Sequence, residues 1–233
     1  MIPAIVTNVL DIIACQLLDD SVVGENHEHF FVEFEDKKVV REININGKKQ
    51  KIEESVFGEL KNGDWFRRTS EKIRDEWGYH VKPLVFNMAM DATELSSGGT
   101  VSATPFYAIC GNLSIQIQRS SKGCNLVGYC PVSPASKASL GKALEDNGVK
   151  GETNKNDAIT VHGLALKQEF IKDILEPLLR CQESGPIRLQ VGTKNPVFHY
   201  FIPTLGGFNC KYLMFHEHVR CVINTRIVCI LHL

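Results

Sequence analysis

Residues 83–91 read Pro83-Leu84-Val85-Phe86-Asn87-Met88-Ala89-Met90-Asp91. The run from Leu84 to Met90 is almost continuously apolar and ends on a carboxylate. A short run of this kind predicts a strand buried on both faces. A carboxylate at the end of such a strand is costly to desolvate unless it is paired or binds a metal. Asp91 therefore has two readings. It begins a turn with Thr93 and Ser96, or it supplies oxygen ligands to Mg²⁺ in a two-metal phosphoryl transfer.

Two more runs follow, Val101 to Leu113 and Cys124 to Val132, both bounded by Gly, Ser and Pro. Gly98-Gly99 joins the first pair of runs and Ser120 to Gly123 the second. Connections this short require antiparallel neighbours. Ser133 to Asp157 is rich in Ser, Lys, Gly and Asn and is expected to be a loop or mobile insertion. From about 160 to 181, Leu164, Phe170, Ile171, Ile174, Leu175, Leu178 and Leu179 form one apolar stripe of a helix. Pro177 should kink or shorten its last turn, and Gly185-Pro186 should stop it. Ile187–Val191 and Val197–Leu205 then read as a hairpin turning at Lys194-Asn195-Pro196.

Upstream, residues 28–46 alternate. Phe30, Val32 and Phe34 share one face, Asp36-Lys37-Lys38 turns the chain, and Val39, Arg41, Ile43 and Ile45 return as the second strand. Asn46-Gly47 is a further turn signal. Asp64 to Trp77 carries Trp65, Phe66, Ile73 and Trp77 at helical spacing and predicts a short amphipathic helix capping the sheet. Met1 to Leu18 is apolar, but Asp11 interrupts it and no basic residue precedes it, so it reads as a buried helix or strand. The order is three antiparallel strands, a loop, a helix and further strands. The expected fold class is thus α/β, a partial ribonuclease-H-like mixed sheet with an N-terminal β-hairpin appendage. Its divisions are 1–60 (appendage), 61–212 (core) and 213–233 (tail).

The chain has 233 residues, 43% of them hydrophobic and 23% charged, with a formal net charge of -1. That composition suits a folded core and opposes a strongly basic nucleic-acid domain. The densest basic run is Lys48-Lys49-Gln50-Lys51, followed by Arg67, Arg68 and Lys72. These residues and Arg119 are the candidate DNA contacts, set against the plain reading of a solvated face. The eight cysteines contain no C-x-x-C pair and read as buried reduced thiols. With no window of 18 uninterrupted apolar residues, a soluble intracellular protein without a membrane span is expected.

Several segments occur in order and at close spacing: Pro83-Leu84-Val85-Phe86, Asp91-Ala92-Thr93-Glu94-Leu95-Ser96, Pro105-Phe106-Tyr107, Gly111-Asn112-Leu113, Arg119-Ser120 and Gly128-Tyr129-Cys130-Pro131. With Gly63-Asp64-Trp65-Phe66 upstream, and Ile174-Leu175-Glu176-Pro177-Leu178 and Tyr200-Phe201-Ile202-Pro203 downstream, the series resembles the Plavaka-type transposases, relatives of the CACTA (En/Spm-like) DNA transposons. The resemblance spans roughly residues 60–212. It implies an acidic triad on a ribonuclease-H-like sheet that cuts and rejoins DNA with Mg²⁺ or Mn²⁺, and a nuclear location. Asp91 matches the first acid. Where the resemblance places the second, the chain reads Cys210-Lys211-Tyr212-Leu213, with Lys211 at the acid's position. The third would lie further downstream than this chain extends, and the stretch after Cys221 does not resemble the family. That stretch reads as aberrant translation or as an ordinary buried strand.

The expectation is therefore a transposon-derived fragment of a transposase catalytic core, inactive because its metal site is incomplete. One alternative is a DNA- or transposase-binding remnant, with full-length transposase as a partner. Another is an active nuclease in which Glu94, Asp157 or Glu217 supplies the second acid. Three smaller candidates remain. The His-Glu-His triplets at 27–29 and 216–218 would each present two histidines to one metal if they lay on strands. Gly98-Gly99 lacks the spacing of a phosphate-binding loop. Cys124 or Cys130 as a nucleophile has no local support.

Overall fold

A computed structural model describes residues 8–45, 48–55, 58–90, 93–94, 102–130, 137–148 and 151–210. Its centre is a five-stranded mixed sheet built on β3 (Val81–Met90). On one side β3 pairs antiparallel with β6 (Pro105–Cys110), which pairs antiparallel with β7 (Cys124–Tyr129). On the other side β3 pairs parallel with β9 (Val197–Cys210), which closes a hairpin with β8 (Ile187–Val191). The three antiparallel strands and the late hairpin are those expected from the apolar runs. The parallel pairing of β9 with β3 joins residues more than a hundred positions apart.

Both faces of β3 are covered, which explains the continuous apolar run. Leu84, Phe86, Met88 and Met90 of β3 enter the main core with Phe201 and Leu205 of β9. That core is roofed by α1 (Val9–Leu18) through Val9, Ile13 and Leu17 and by α6 (Glu152–Ser184) through Phe170, Ile171, Ile174, Leu175 and Leu178. The opposite face is covered by α3 (Asp64–Trp77), whose Ile73 and Trp77 pack on Val81 and Ile202. A four-residue helix, α2 (Asp20–Val23), follows α1 and adds Val22 and Val23 to the main core. Asp20 at its start accepts hydrogen bonds from the Thr193 amide and hydroxyl, and so ties it to the β8–β9 turn.

Three expectations are corrected. The N-terminal hairpin lies one segment later than read, formed by β1 (Lys38–Ile45) and β2 (Lys48–Ser55). The signal that mattered was Asn46-Gly47, which lies between them and outside the described residues. Residues 28–34 form no strand beyond a single bridge from Phe30 to Leu113. The reason is packing, since consecutive rings both turn inward: Phe30 meets Phe201 at 6.2 Å and Phe31 meets Phe66 at 5.6 Å. Second, the described residues of 133–157 are largely helical, with α5 (Lys137–Asp146) ahead of the early start of α6. Ala138, Leu140, Ala143 and Leu144 keep a helical period within the polar composition, and Gly148 and Gly151, both at positive φ, separate the two helices. Third, Pro177 does not shorten α6, which continues to Ser184 and is capped by Gly185 as expected, with Ile174, Leu175 and Leu178 held in the core around the proline.

α6 runs back along the sheet. Phe170 meets Phe106 at 5.8 Å, level with Met90, while Gln182 donates to the Pro203 carbonyl, level with Leu84. The half of α6 before Phe170 therefore projects past the C-terminal ends of β3 and β9, beside α5. Among the described residues no helix is long and apolar enough to cross a membrane.

Candidate catalytic edge of the sheet

The parallel pair β3–β9 ends on Met90 opposite Cys210. The next residues in the sequence are Asp91 and Lys211, and both lie outside the described residues. The register that brings these two ends level depends on a β-bulge. Phe86 faces Leu205, but Asn87 faces Gly207, so Gly206 is the extra residue. A Cβ on Gly206 would lie 2.4 Å from Val85 Cγ1 and 2.8 Å from Asn87 Oδ1, so only glycine fits. Without the bulge Met90 would face Asn209. Trp65, on the first turn of α3, lies over this glycine, 3.6 Å from the same added Cβ. The Trp65 indole nitrogen is buried without a hydrogen-bond partner among the described residues.

The middle of β3 is fixed by Asn112, which is fully buried. Its Oδ1 accepts from the Val85 amide at 2.7 Å, and its Nδ2 donates to the carbonyls of Phe31 at 2.9 Å and Pro83 at 3.0 Å. The Gly111 amide donates to the Val85 carbonyl at 2.7 Å, and the Phe31 amide to the Asn112 carbonyl at 2.9 Å. The motif Gly111-Asn112-Leu113 is thus a splice. Where β6 peels away, one side chain takes over the ladder and ties in the segment before the hairpin. The floor beneath the strand ends is apolar, made by Met90, Phe106 and Phe170.

The basic candidates do not all share one element. Arg67, Arg68 and Lys72 lie on α3, and Arg119 caps α4 (Ile115–Gln118) in the β6–β7 connection. Arg67 binds Asp64 at 2.6 Å and Glu71 at 3.0 Å, and Arg68 binds Asp64 at 2.7 Å. Those hydrogen bonds hold the Asp64 carboxyl below its ordinary range and the Arg67 guanidinium above its own. The bases of this helix are matched along its length by Asp64, Glu71, Asp75 and Glu76. The run Lys48 to Lys51 lies on β2, where Lys49 faces Glu42 at 3.9 Å.

The other candidates separate. Asp157 is exposed on the projecting half of α6. Glu94 lies in β4 (Thr93–Glu94), paired with β5 (Ser102–Ala103). Glu217, the triplet 216–218, Gly98-Gly99 and the tail from 211 onward lie outside the described residues. The triplet 27–29 is in a turn with His27 at φ 60°, so the shared face of a strand does not apply. Among the described residues no three of His, Cys, Asp or Glu are grouped to hold a metal. Burial pushes the Cys130 thiol up to about 11 and raises Cys124 too, the reverse of what activates a nucleophile. The bulge and the Asn112 splice were missed from sequence. Paired glycines inside an apolar run were the available signal for the first, and an asparagine directly after a buried strand for the second.

Compared with known families, residues 32–212 match a family model described as Plavaka transposase. No curated protein and no solved structure matches the chain.

Proposed function

The chain belongs to the Plavaka transposase family, and on that premise we propose that it is a transposase-derived protein whose ribonuclease-H-like core no longer assembles a working metal site. The strand order supports the fold reading. Three antiparallel strands, a crossing helix and a further strand parallel to the first are the arrangement in which such a core sets acids at neighbouring strand ends. The observation that carries the proposal is the level pairing of Met90 with Cys210, followed in sequence by Asp91 and Lys211. In this reading Lys211 stands where the second acid would have to meet Asp91. One carboxylate with an ammonium beside it does not fit a pair of divalent cations, because the lysine repels what the carboxylate attracts. A bound Mg²⁺ or Mn²⁺ pair is therefore not expected, and no strand cleavage is routed through this edge.

The test is incubation of the purified chain with supercoiled DNA and Mg²⁺ or Mn²⁺. No nicking above a protein-free control is expected. Nicking abolished by Asp91→Ala would overturn the proposal and restore the reading of an active nuclease with a different second acid.

A further inference from the structure

About nine residue steps from the strand ends, roughly 30 Å along the sheet, the α3 side of the β8–β9 hairpin extends past the end of α3. Its side chains there are large, flat and exposed. Tyr79 is 78% exposed, Phe198 49% and Tyr200 42%. They are interleaved with two arginines and a histidine. The Arg188 guanidinium lies 4.2 Å from the centre of the Phe198 ring, and Arg188 is the cross-strand partner of Tyr200. The His80 ring packs edge-on against Tyr200 at 5.6 Å, and Arg74 lies 5.2 Å from the Tyr79 ring. The run is therefore Phe198, Arg188, Tyr200 and His80, flanked by Tyr79 and Arg74.

Three exposed rings on one small face leave a patch of apolar area in water. Arg74 has Asp75 at 3.3 Å, whereas Arg188 has no ion-pair partner among the described residues. We propose that this face is a stacking platform for an unpaired nucleic-acid strand, with bases on Phe198, Tyr200 and Tyr79 and phosphates at Arg188 and Arg74. Intact duplex DNA offers phosphates and base edges but keeps its base faces covered. Only an unstacked base presents a face to a ring. The alternation of rings and guanidinium groups fits a strand that presents bases and phosphates in turn. The inference rests on the family reading only in taking DNA as the polymer. It needs no metal and no cleavage.

The experiment is fluorescence anisotropy of the full chain with labelled dT20 and with a 20-base-pair blunt duplex at two salt concentrations. We expect dT20 to be held more tightly than the duplex. Phe198→Ala and Tyr200→Ala should each weaken dT20 binding at least about five-fold, the loss of one stacked base. Tyr200→Phe should retain binding. Arg188→Ala should weaken it and flatten the salt dependence by about one phosphate contact. Circular dichroism of each variant verifies the fold. No binding of dT20, or equal binding by the Phe198→Ala/Tyr200→Ala double variant, overturns the proposal. So does a concentration-dependent dimer in sedimentation that the same double variant abolishes, since the face would then belong to a protein partner. Neither result touches the nicking test, and nicking by Asp91 would leave this surface standing.

Discussion

The side chain of Asn112 accepts the Val85 amide hydrogen at 2.7 Å and so occupies the place of a strand that has already left the sheet. It also satisfies the carbonyls of Phe31 and Pro83, so one residue closes three backbone bonds inside the core. A buried donor or acceptor left without a partner costs about 1–3 kcal/mol. Asn112→Ala strands three such groups with room for some relaxation, and should lower unfolding stability by about 2–4 kcal/mol. Urea denaturation measures this. Asn112→Asp keeps the bond from Val85, but an ionised carboxylate there would lose both donations and bury a charge, and a protonated one restores only one donation. Its folded carboxyl must be held protonated, with a raised pKa, so its stability should fall further as pH rises from 4 to 7. A loss below about 1 kcal/mol in the alanine variant would mean that water replaces the amide.

Gly206→Ala tests the bulge. The new methyl group would press on Val85 Cγ1 and Asn87 Oδ1. Overpacking in a dense core costs about 1–3 kcal/mol, so destabilisation in that range is expected. Val85→Ala alone leaves a cavity and is also destabilising. The double variant removes the clash and should be more stable than the sum of the two single losses predicts. Strict additivity in the double-mutant cycle would show that the strand moves instead of the side chain.

The fold was legible where burial is one-sided or complete. The α3 stripe of Phe66 and Ile73 and the solid run of β3 both read directly as elements, because hydrophobic period follows from which face meets the core. The hairpin was misplaced because Phe30 and Phe31 both pack inward in succession, which breaks the two-residue period that a strand would show. α5 was hidden because its apolar positions are few and small. The pairing of β9 with β3 had no local signal at all, since register between distant strands is set by the assembled core and here by one inserted glycine. Asp91 was a candidate from the residues themselves, whereas Lys211 entered from resemblance alone, and both lie outside the described residues.

His199 supplies a pH dependence with a definite sign. Burial lowers its pKa below the ordinary 6.5, and the positive Lys82 of β3 and His27 of the turn after α2 lower it further, against a smaller opposing effect of Glu33. The unfolded chain takes up a proton near pH 6.5 that the folded imidazole resists. The stability from this site is therefore complete above that value and is lost as pH falls, until the folded group also titrates. Urea midpoints should fall between pH 7.5 and 5, and His199→Gln should flatten the slope. Glu33 and Asp19, whose carboxyls sit below their ordinary range because of hydrogen bonds to Lys82 and Ser21, lose their contributions at lower pH still. A wild-type slope unchanged by His199→Gln would place the titration on another histidine.

The proposed loss of metal binding separates charge from catalysis. Lys211→Asp changes the local charge by two units and supplies a second carboxylate beyond the Met90–Cys210 pair. Attraction for a divalent ion should then replace repulsion. Free Mn²⁺ measured by electron paramagnetic resonance should fall when this variant is added, and not when wild type is added at equal concentration. The gained binding should vanish in Asp91→Asn/Lys211→Asp, because the two carboxylates act together. Binding and not nicking is the readout, so the charge at this position is tested apart from any cleavage. Tight Mn²⁺ binding by the wild type, removed by Asp91→Asn, would show that Lys211 is not the neighbour of Asp91. In that case the bulge at Gly206 would serve the strand and not the site.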